Sequence, residues 1–396
     1  MNIPDEHLGV TAYGVKTGII TFDDNIVEVL KKTINKNPAL IKDGDIVCIT
    51  EAVVAITQHN VVNLNDVARE LTSILKLKND STIGLIHPIL SRNRFSMILK
   101  AIARTVPEGK VIIQLKFPND EQGNPAIAKE AVKKLNKGYN DMITLDEIEN
   151  DRLLHPETGM DYIDFYESLI EEAGCEAEIY LANTIEHMIN KNPDAIIVSN
   201  VHARKEFLEE VKNAGFENAI TLQDVYSDTE KEIYSDFGLL GSNVLDPVKE
   251  QLKLCPKKPD EVCEEIKKMI NAEFSKDVEV IINGDGAYKD PETGIYELAD
   301  PVSCFGCTSG IKNKNRIGVK TKYLMQKLYN EGKTREEIAK IIEEEKNKFI
   351  KKQEKQGFSA QGTTPRKIQN LVSSLADLIS GSGDSNTPVI VVRGFA

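Results

Sequence analysis

The sequence predicts an α+β fold in which mixed β-sheets pack against helices, joined by a small α/β lobe. Three observations carry this prediction. Strand-like and helix-like segments alternate near the N-terminus, and a strand–helix–strand unit follows in "DAIIVSN", "ARKEFLEEVKNAG" and "AITLQD". The chain ends in an apolar stretch at residues 389–392, which would fray or aggregate unless a sheet buried it.

The N-terminal part predicts alternating strands and helices. "GVTAYGVKTGIIT" is typical of one or two strands, and Asp23 or Asp24 is expected to cap the helix that carries Ile26, Val29 and Leu30. "DGDIVCIT" predicts a turn and a buried strand, "DVARELTSIL" a helix with one apolar face, and "KVIIQLKF" a further strand.

The segment "SRNRFSMILKAIAR" predicts a helix with arginines at its start. Ser91 is the expected N-cap, which places Arg92 and Arg94 in the first turn. Acidic residues are usual there, because the helix N-terminus is already positive. Two arginines at that end favour an anion site, and the alternative is a pair of solvated arginines.

From residue 120 to 235 the chain becomes acidic and helical around the strand–helix–strand unit. We therefore expect an inserted α/β lobe at 120–235, and one domain made of 1–119 and 236–396. Beyond the lobe, Thr334 and Glu337 match a capping box that opens a long charged helix over 334–356.

Composition limits the classes of partner. The formal net charge of −13 argues against nucleic acid or an anionic membrane surface as a partner. No apolar run approaches the ~20 residues of a membrane span, and the N-terminus carries no basic-plus-apolar signal. Six cysteines in 396 residues do not make a disulfide scaffold, so a cytoplasmic protein is expected.

Three loops contain atoms suited to phosphate and metal chemistry. "INGDGAY" places Asp285 just beyond an apolar strand, where a carboxylate could hold Mg²⁺ and nucleotide phosphates. "GFSAQGTTPRK" offers hydroxyls, Arg366 and Lys367, and "SGSGDSN" precedes the last strand. None of them matches a P-loop, and each is equally consistent with an ordinary turn.

Two further features leave alternatives open. Cys304 and Cys307 in "SCFGCTSG" form a C-x-x-C pair, which is typical of redox or zinc sites but also of ordinary loop cysteines. His202 follows a strand of the lobe, where α/β proteins often place ligand groups, although a lone histidine at such a position is more often a polar loop residue.

The order of these loops resembles the coenzyme F420-0:L-glutamate ligase (γ-glutamyl ligase) family. "NLVSSLADLISGSGDSNTPVIVVRG" is similar to the family's closing helix, loop and P-x-V-V-V-R-G strand. "VKTGII" and "GDIVCITEAVVAITQHNVVNL" are similar to its opening strands, "FGLLGSN" to its G-[IL]-D-x-S-N segment, and "VEVIINGDG" to its V-x-V-I-I-[ST]-D loop. Residues 120–235 and 305–360 look like additions, which indicates an enlarged bacterial-type relative of the short archaeal form.

The resemblance implies an intertwined two-subdomain fold, a homodimer, and a ligase that uses GTP or ATP with Mg²⁺ or Mn²⁺. Such a ligase joins L-glutamate to a carboxylate acceptor, the F420 precursor or a folate-like molecule, through an acyl phosphate. Arg92, Arg94, Ser242 and Asn243 would bind substrate carboxylates or phosphates, and Asp285 would bind the metal. Small molecules are then the expected partners.

Several positions depart from the family pattern. Leu240 stands where the family has a metal-binding Asp, and Ser382 where it has Gln or Glu. Ile56 and His59 replace a basic residue and a glycine. A second metal would have to recruit another acid, and the candidates are Asp236, Asp246 and Asp384. The sequence therefore leaves three hypotheses: a γ-glutamyl ligase, a non-catalytic nucleotide- or metabolite-binding relative, and a metal or redox protein built on the cysteine pair.

Overall fold

The computed structural model describes residues 8–92, 94–121, 123–148, 152–154, 159–284, 288–289, 296–297, 303–316, 321–356, 366–380 and 386–395. The α-helices in this part of the chain are α1 (Ile26–Lys36), α2 (Glu51–Thr57), α3 (Leu64–Leu75), α4 (Phe95–Ala103), α5 (Lys129–Lys134), α6 (Tyr162–Glu171), α7 (Glu186–Asn190), α8 (Arg204–Asn213), α9 (Pro259–Phe274), α10 (Thr321–Asn330), α11 (Arg335–Gln356) and α12 (Ile368–Ser380). The strands are β1 (Thr11–Val15), β2 (Ile46–Thr50), β3 (Val61–Asn63), β4 (Thr82–Ile86), β5 (Lys110–Leu115), β6 (Ile143–Thr144), β7 (Glu176–Leu181), β8 (Ala195–Val198), β9 (Ala219–Thr221), β10 (Asn243–Asp246), β11 (Gln251–Lys253), β12 (Glu279–Asn283), β13 (Tyr288–Lys289), β14 (Tyr296–Glu297), β15 (Cys304–Cys307), β16 (Asn315–Arg316), β17 (Arg366–Lys367) and β18 (Val389–Arg393).

A five-stranded mixed sheet brings together strands from distant parts of the chain, in the order β1-β18-β2-β12-β15. The C-terminal strand β18 lies between β1 and β2 and is antiparallel to both. Its residues 389–392 are all buried, because α1 and α9 cover one face of the sheet and α12 covers the other. The prediction of a buried terminal strand is confirmed.

A six-stranded sheet forms the second body of the protein, in the order β6-β7-β5-β4-β8-β9. Five neighbouring strands are parallel, and only β6 runs antiparallel. The parallel strands, numbered along the chain, lie in the order 3-2-1-4-5, which is that of a doubly wound α/β sheet. Buried runs such as "VIIQL" in β5 explain why helices cover both faces.

Strand pairing extends this lobe on the N-terminal side of residue 120. β4 and β5 lie in the middle of the parallel sheet, and both precede the expected insertion at 120–235. Hydrogen bonds between strands therefore cross that limit, and the division of the chain into two domains stays a prediction. The mixed five-stranded sheet, the parallel sheet and their helices together confirm the predicted α+β class.

Two helix caps differ from the prediction. Asn25 caps α1, where its Oδ1 accepts from the backbone N–H groups of Val27 and Glu28 at 2.9 and 3.2 Å, whereas Asp24 closes a turn by accepting from Thr21. The second cap that differs is that of α4, which begins at Phe95.

Because α4 begins at Phe95, Arg94 is its N-cap and Ser91 lies one turn earlier. The Ser91 hydroxyl still accepts from the Arg94 backbone N–H at 3.2 Å, so it organises the approach to the helix without capping it. The expected capping box at the start of α11 is confirmed, since Thr334 and Glu337 exchange backbone-to-side-chain hydrogen bonds.

A small antiparallel sheet is formed by β10, β11 and β3. Its register places Asn243 opposite Lys253, and Lys253 opposite Val61. No helix in the described part of the chain has the length and apolar character that crossing a membrane would need.

Candidate functional site

A large cavity of about 580 Å³ opens where the parallel strands β2 and β12 end. Thr50 and Asn283, which are partners in the strand register, form part of its lining. Asn243 and Lys253 line it from the small antiparallel sheet, and Thr387 lines it from the segment that leads into β18. The carboxyl ends of adjacent parallel strands are a common place for ligands, so this position suits a binding site.

A buried ion pair lies in the wall of this cavity. The Lys253 ammonium donates to both carboxylate oxygens of Glu51, at 2.6 Å for Oε1. The Lys253 side chain is only 6% exposed and that of Glu51 18%. Burying a charge is costly unless an opposite charge pairs with it, so each of these side chains compensates the charge of the other.

Asn283 has an unusual environment for a buried amide. It is 1% exposed, and within the described residues neither Oδ1 nor Nδ2 has a hydrogen-bond partner. Leaving a buried polar atom unpaired costs roughly 1–3 kcal/mol. A side chain retained at that cost in the lining of a cavity is a candidate ligand contact.

A second, smaller cavity of about 50 Å³ adjoins the first and lies against the parallel sheet. Its lining is mostly apolar and includes Leu240 and Phe305, with Arg94 and Ser242 as polar members. The Ser242 hydroxyl is buried and has no partner among the described residues. Glu51 lines both cavities and so marks their junction.

A sharp turn at Gly241 separates a residue that lines the small cavity from one that lines the large cavity. Gly241 has a φ of +91°, and a Cβ at this position would come within 2.9 Å of the Cys255 sulfur, so only glycine fits without strain. As a result Ser242 lines the small cavity while Asn243, the next residue, lines the large one.

The structure brings together three of the predicted substrate-binding residues: Arg94, Ser242 and Asn243. Arg92 is exposed and lines neither cavity, because it precedes the turn from which α4 starts. Asp285, the predicted metal ligand, lies outside the described residues, although Gly284 directly before it lines the large cavity.

The described residues contain no group of three or more His, Cys, Asp or Glu side chains placed to hold a metal ion. Leu240, at the family's metal position, is 3% exposed in the apolar wall of the small cavity. The Asp246 carboxylate instead accepts from the backbone N–H groups of Val248 and Lys249, which lowers its pKa.

The other candidate ligands for a second metal are not seen at either cavity. Asp236 is exposed and lines neither cavity. Ser382 and Asp384 lie outside the described residues. None of the three acids considered for a second metal is therefore seen at the cavities within the described residues.

Sequence reasoning missed Glu51, Lys253 and Asn283. Glu51 and Asn283 each stand at the end of an apolar strand, "IVCIT" and "EVIIN", and a polar residue directly after such a strand is the signal that could have found them. Lys253 gave no such signal, because a lysine in a three-residue strand looks like a solvated surface residue.

Cys304 and Cys307 both lie in β15 and are buried as free thiols. A bulge opposite Asn283 places Phe305 between them at the small cavity, where its ring stacks edge-on against Phe237 at 5.2 Å. The hydrogen bond that the Cys304 thiol donates to Cys307, together with burial, raises the pKa of Cys304. This segment therefore has a packing role at the site.

The family model described as F420-0:Gamma-glutamyl ligase matches residues 14–394. The chain belongs to this family of γ-glutamyl ligases, and membership supports a ligase role in coenzyme F420 biosynthesis. The match includes the mixed sheet, the parallel lobe and both cavities. A comparison with curated proteins finds no match.

Proposed function

We propose that the protein is a nucleotide- and divalent-metal-dependent γ-glutamyl ligase that forms an amide between L-glutamate and an F420-precursor-like carboxylate. The acceptor of a folate-type polyglutamyl ligase is the close alternative. One observation carries the proposal: a large cavity with polar groups in its lining and a smaller, arginine-lined apolar cavity meet at Glu51 in a chain of this family. Two substrates bound in adjoining cavities can react where the cavities meet.

The small cavity suits the acceptor. A guanidinium pairs bidentately with a carboxylate, so Arg94 would hold the carboxylate that becomes phosphorylated. The unpartnered Ser242 hydroxyl is a second hydrogen-bonding group for that end of the molecule. At about 50 Å³ the cavity has room for that end of the acceptor only, and its apolar walls, including Phe305, would pack against the atoms next to the carboxylate.

The large cavity suits GTP or ATP and the metal. A bound Mg²⁺ or Mn²⁺ would neutralise phosphate charge as the phosphoryl group is transferred. Asp285 is its proposed ligand, because it follows Gly284 at the cavity wall, and Asn243 is a proposed phosphate contact. The acceptor carboxylate would attack the terminal phosphorus and displace the nucleoside diphosphate to give an acyl phosphate, and the amine of glutamate would then displace phosphate.

The metal assignment has its own test. We expect Asp285→Asn to weaken metal-dependent nucleotide binding at least tenfold, about 1.4 kcal/mol, in calorimetric titrations. Asp246→Asn is the matched control, since that carboxylate is held by a turn. Unchanged affinity in a folded Asp285→Asn protein would remove this residue from the site.

A non-catalytic nucleotide- or metabolite-binding relative is the second candidate. The observation that favours it is Leu240, an apolar residue at the family's metal position and in an apolar wall. Such a protein would bind nucleotide without releasing phosphate.

We also propose a homodimer in the cytoplasm, with small molecules as substrates and with neither nucleic acid nor membrane as partners. The net charge of −13 supports the exclusion of nucleic acid. Light scattering at micromolar concentration tests the dimer, and a monomer there would contradict it.

The decisive assay measures phosphate release with GTP or ATP, L-glutamate and a panel of carboxylate acceptors, and weighs the product by mass spectrometry. The ligase predicts release that needs glutamate and acceptor together, and a product heavier by one glutamyl residue. Nucleotide binding without any such product would support the non-catalytic relative instead.

A further inference from the structure

We propose that Glu51, Lys253 and Asn283 form the subsite for the incoming amino acid. In this arrangement Glu51 binds the α-ammonium group, Lys253 binds a carboxylate, and the Asn283 carboxamide hydrogen-bonds to both ends. The inference rests on the proposed function, because it names the place of the amine substrate in that reaction.

The charge arrangement supports a zwitterionic ligand. Glu51 and Lys253 are oppositely charged, in direct contact, and almost excluded from water. An α-amino acid carries the same two charges at a similar separation, so it can pair with both side chains and leave the net charge of the wall unchanged. A ligand with a single charge would leave one buried partner uncompensated, which is costly.

The unpartnered carboxamide of Asn283 points to the same class of ligand. It offers one donor group and one acceptor, and within the described part of the chain both are unused. A ligand that satisfies both must present an acceptor and a donor together. The carboxylate and ammonium of an amino acid do so, and their pairing would remove the cost of burying the amide.

The position of Glu51 gives the subsite a role in the reaction. Since Glu51 lines both cavities, an amine held there faces the small cavity, where the acceptor carboxylate is proposed to bind. The ammonium gives one proton to the Glu51 carboxylate and becomes a neutral amine. Its nitrogen bonds to the acyl carbon, the carbon–oxygen bond to phosphate breaks, and the second proton leaves with the phosphate.

A substrate subsite and a purely structural ion pair respond differently when both charges are removed. Glu51→Gln alone leaves the buried lysine uncompensated and could unfold the protein. The test therefore uses Glu51→Gln combined with Lys253→Met, which removes both charges and keeps the side-chain lengths. The matched control is Glu250→Gln with Arg104→Met. The Arg104 guanidinium donates two hydrogen bonds to the Glu250 carboxylate, and this ion pair lies outside both cavities.

The probes are L-glutamate and glutarate, which is glutamate without its amine. We expect the wild-type protein to bind glutamate at least about tenfold more tightly than glutarate in calorimetric titrations. The Glu51/Lys253 double variant should lose this preference while melting like a folded protein, and the Arg104/Glu250 double variant should keep it.

The variant Asn283→Leu distinguishes a role in ligand binding from a purely structural role. Replacing an unpartnered buried amide with an apolar side chain of similar size should leave stability equal or higher. We expect glutamate affinity to fall at least about tenfold in the same variant. Higher stability with lower affinity would identify a residue kept for ligand binding.

The outcomes separate this inference from the function on which it rests. Glutamate-dependent phosphate release that survives in the double variant would overturn the subsite and leave the ligase standing. Loss of glutamate preference in the double variant would support the subsite even if no acceptor yields product. A wild-type protein that binds glutarate as tightly as glutamate would overturn the subsite directly.

Discussion

The carboxyl edges of the two large sheets differ in how their polar groups are used. The parallel sheet has the doubly wound strand order, and ligands commonly bind between β4 and β8 in such sheets. Here the protein's own carboxylates occupy that edge. Asp120 accepts from the Leu90 backbone N–H at 2.9 Å, and Glu121 accepts from those of Val201 and His202.

The edge of the mixed sheet is arranged in the opposite way. Asn283 is buried with both polar atoms unpartnered among the described residues, and a lysine–glutamate pair lies in the wall of the same cavity. Strand order alone would place a ligand at the parallel sheet. The unpartnered groups of Asn283 lead us to propose that nucleotide and glutamate bind at the mixed sheet, and only the small cavity proposed for the acceptor reaches the parallel sheet.

The largest expected effect concerns how the mixed sheet is held together. We expect deletion of residues 389–396 to abolish cooperative unfolding or solubility. It removes β18 from between β1 and β2, together with four buried aliphatic side chains worth ~1.5–3 kcal/mol each. Their sum is comparable to the ~5–15 kcal/mol net stability of a domain.

Urea denaturation followed by circular dichroism measures this effect. If the parallel sheet folds by itself, part of the helical signal should survive the truncation. A truncated protein that unfolds like the full chain would contradict the central place of β18.

A single substitution tests the same strand at smaller scale. Asp45 is fully buried and receives two hydrogen bonds of 2.8 Å from the Arg393 guanidinium. We expect Arg393→Met to lower the free energy of unfolding by about 3 kcal/mol, because it leaves a buried carboxylate without its cation. Denaturant titration measures the loss, and Arg393→Met combined with Asp45→Asn should recover most of it.

His87, which directly follows β4 in the parallel sheet, should make the stability of the protein depend on pH. Burial lowers the pKa of His87 to about 4, from 6.5 in the unfolded chain. Between these values the unfolded chain takes up a proton that the folded protein does not. The free energy of unfolding is therefore highest above pH 6.5 and falls by about 3 kcal/mol as the pH drops towards 4. His87→Met should flatten the stability profile between these values, whereas the control His187→Gln, at a half-buried site in α7, should keep the slope.

Substitution of Glu121 has the smallest expected effect, and it tests whether the edge of the parallel sheet takes part in nucleotide binding. Its carboxylate holds the loop before α8, and burial raises its pKa. We expect Glu121→Ala to cost about 1–3 kcal/mol in denaturant titrations, as two backbone N–H groups lose their partner. Nucleotide affinity should not change, and a large drop would indicate that the parallel sheet belongs to the binding site.

Much of the fold could be predicted from the sequence because it depends on local patterns. The strand–helix–strand unit of β8, α8 and β9, the apolar β2, the capping box of α11 and the terminal strand all follow from periodicity and turn residues. The extent of the parallel sheet could not be predicted in this way, since β4 and β5 pair with strands far along the chain.

The candidate site was predictable only in part, for a similar reason. Arg94, Ser242 and Asn243 were found through a helix start and a family motif, which are local signals. Glu51 and Lys253 are 202 residues apart, and their charges acquire meaning only when folding buries them together. A sequence pattern contains no information on such burial.

Hydrogen–deuterium exchange tests most directly whether nucleotide and L-glutamate bind at the edge of the mixed sheet. The protein would be measured with and without nucleotide, Mg²⁺ and L-glutamate. We expect protection in the segments 50–57, 243–253 and 386–393, which surround the large cavity. Protection confined to 87–92 and 199–204, at the edge of the parallel sheet, would contradict the account.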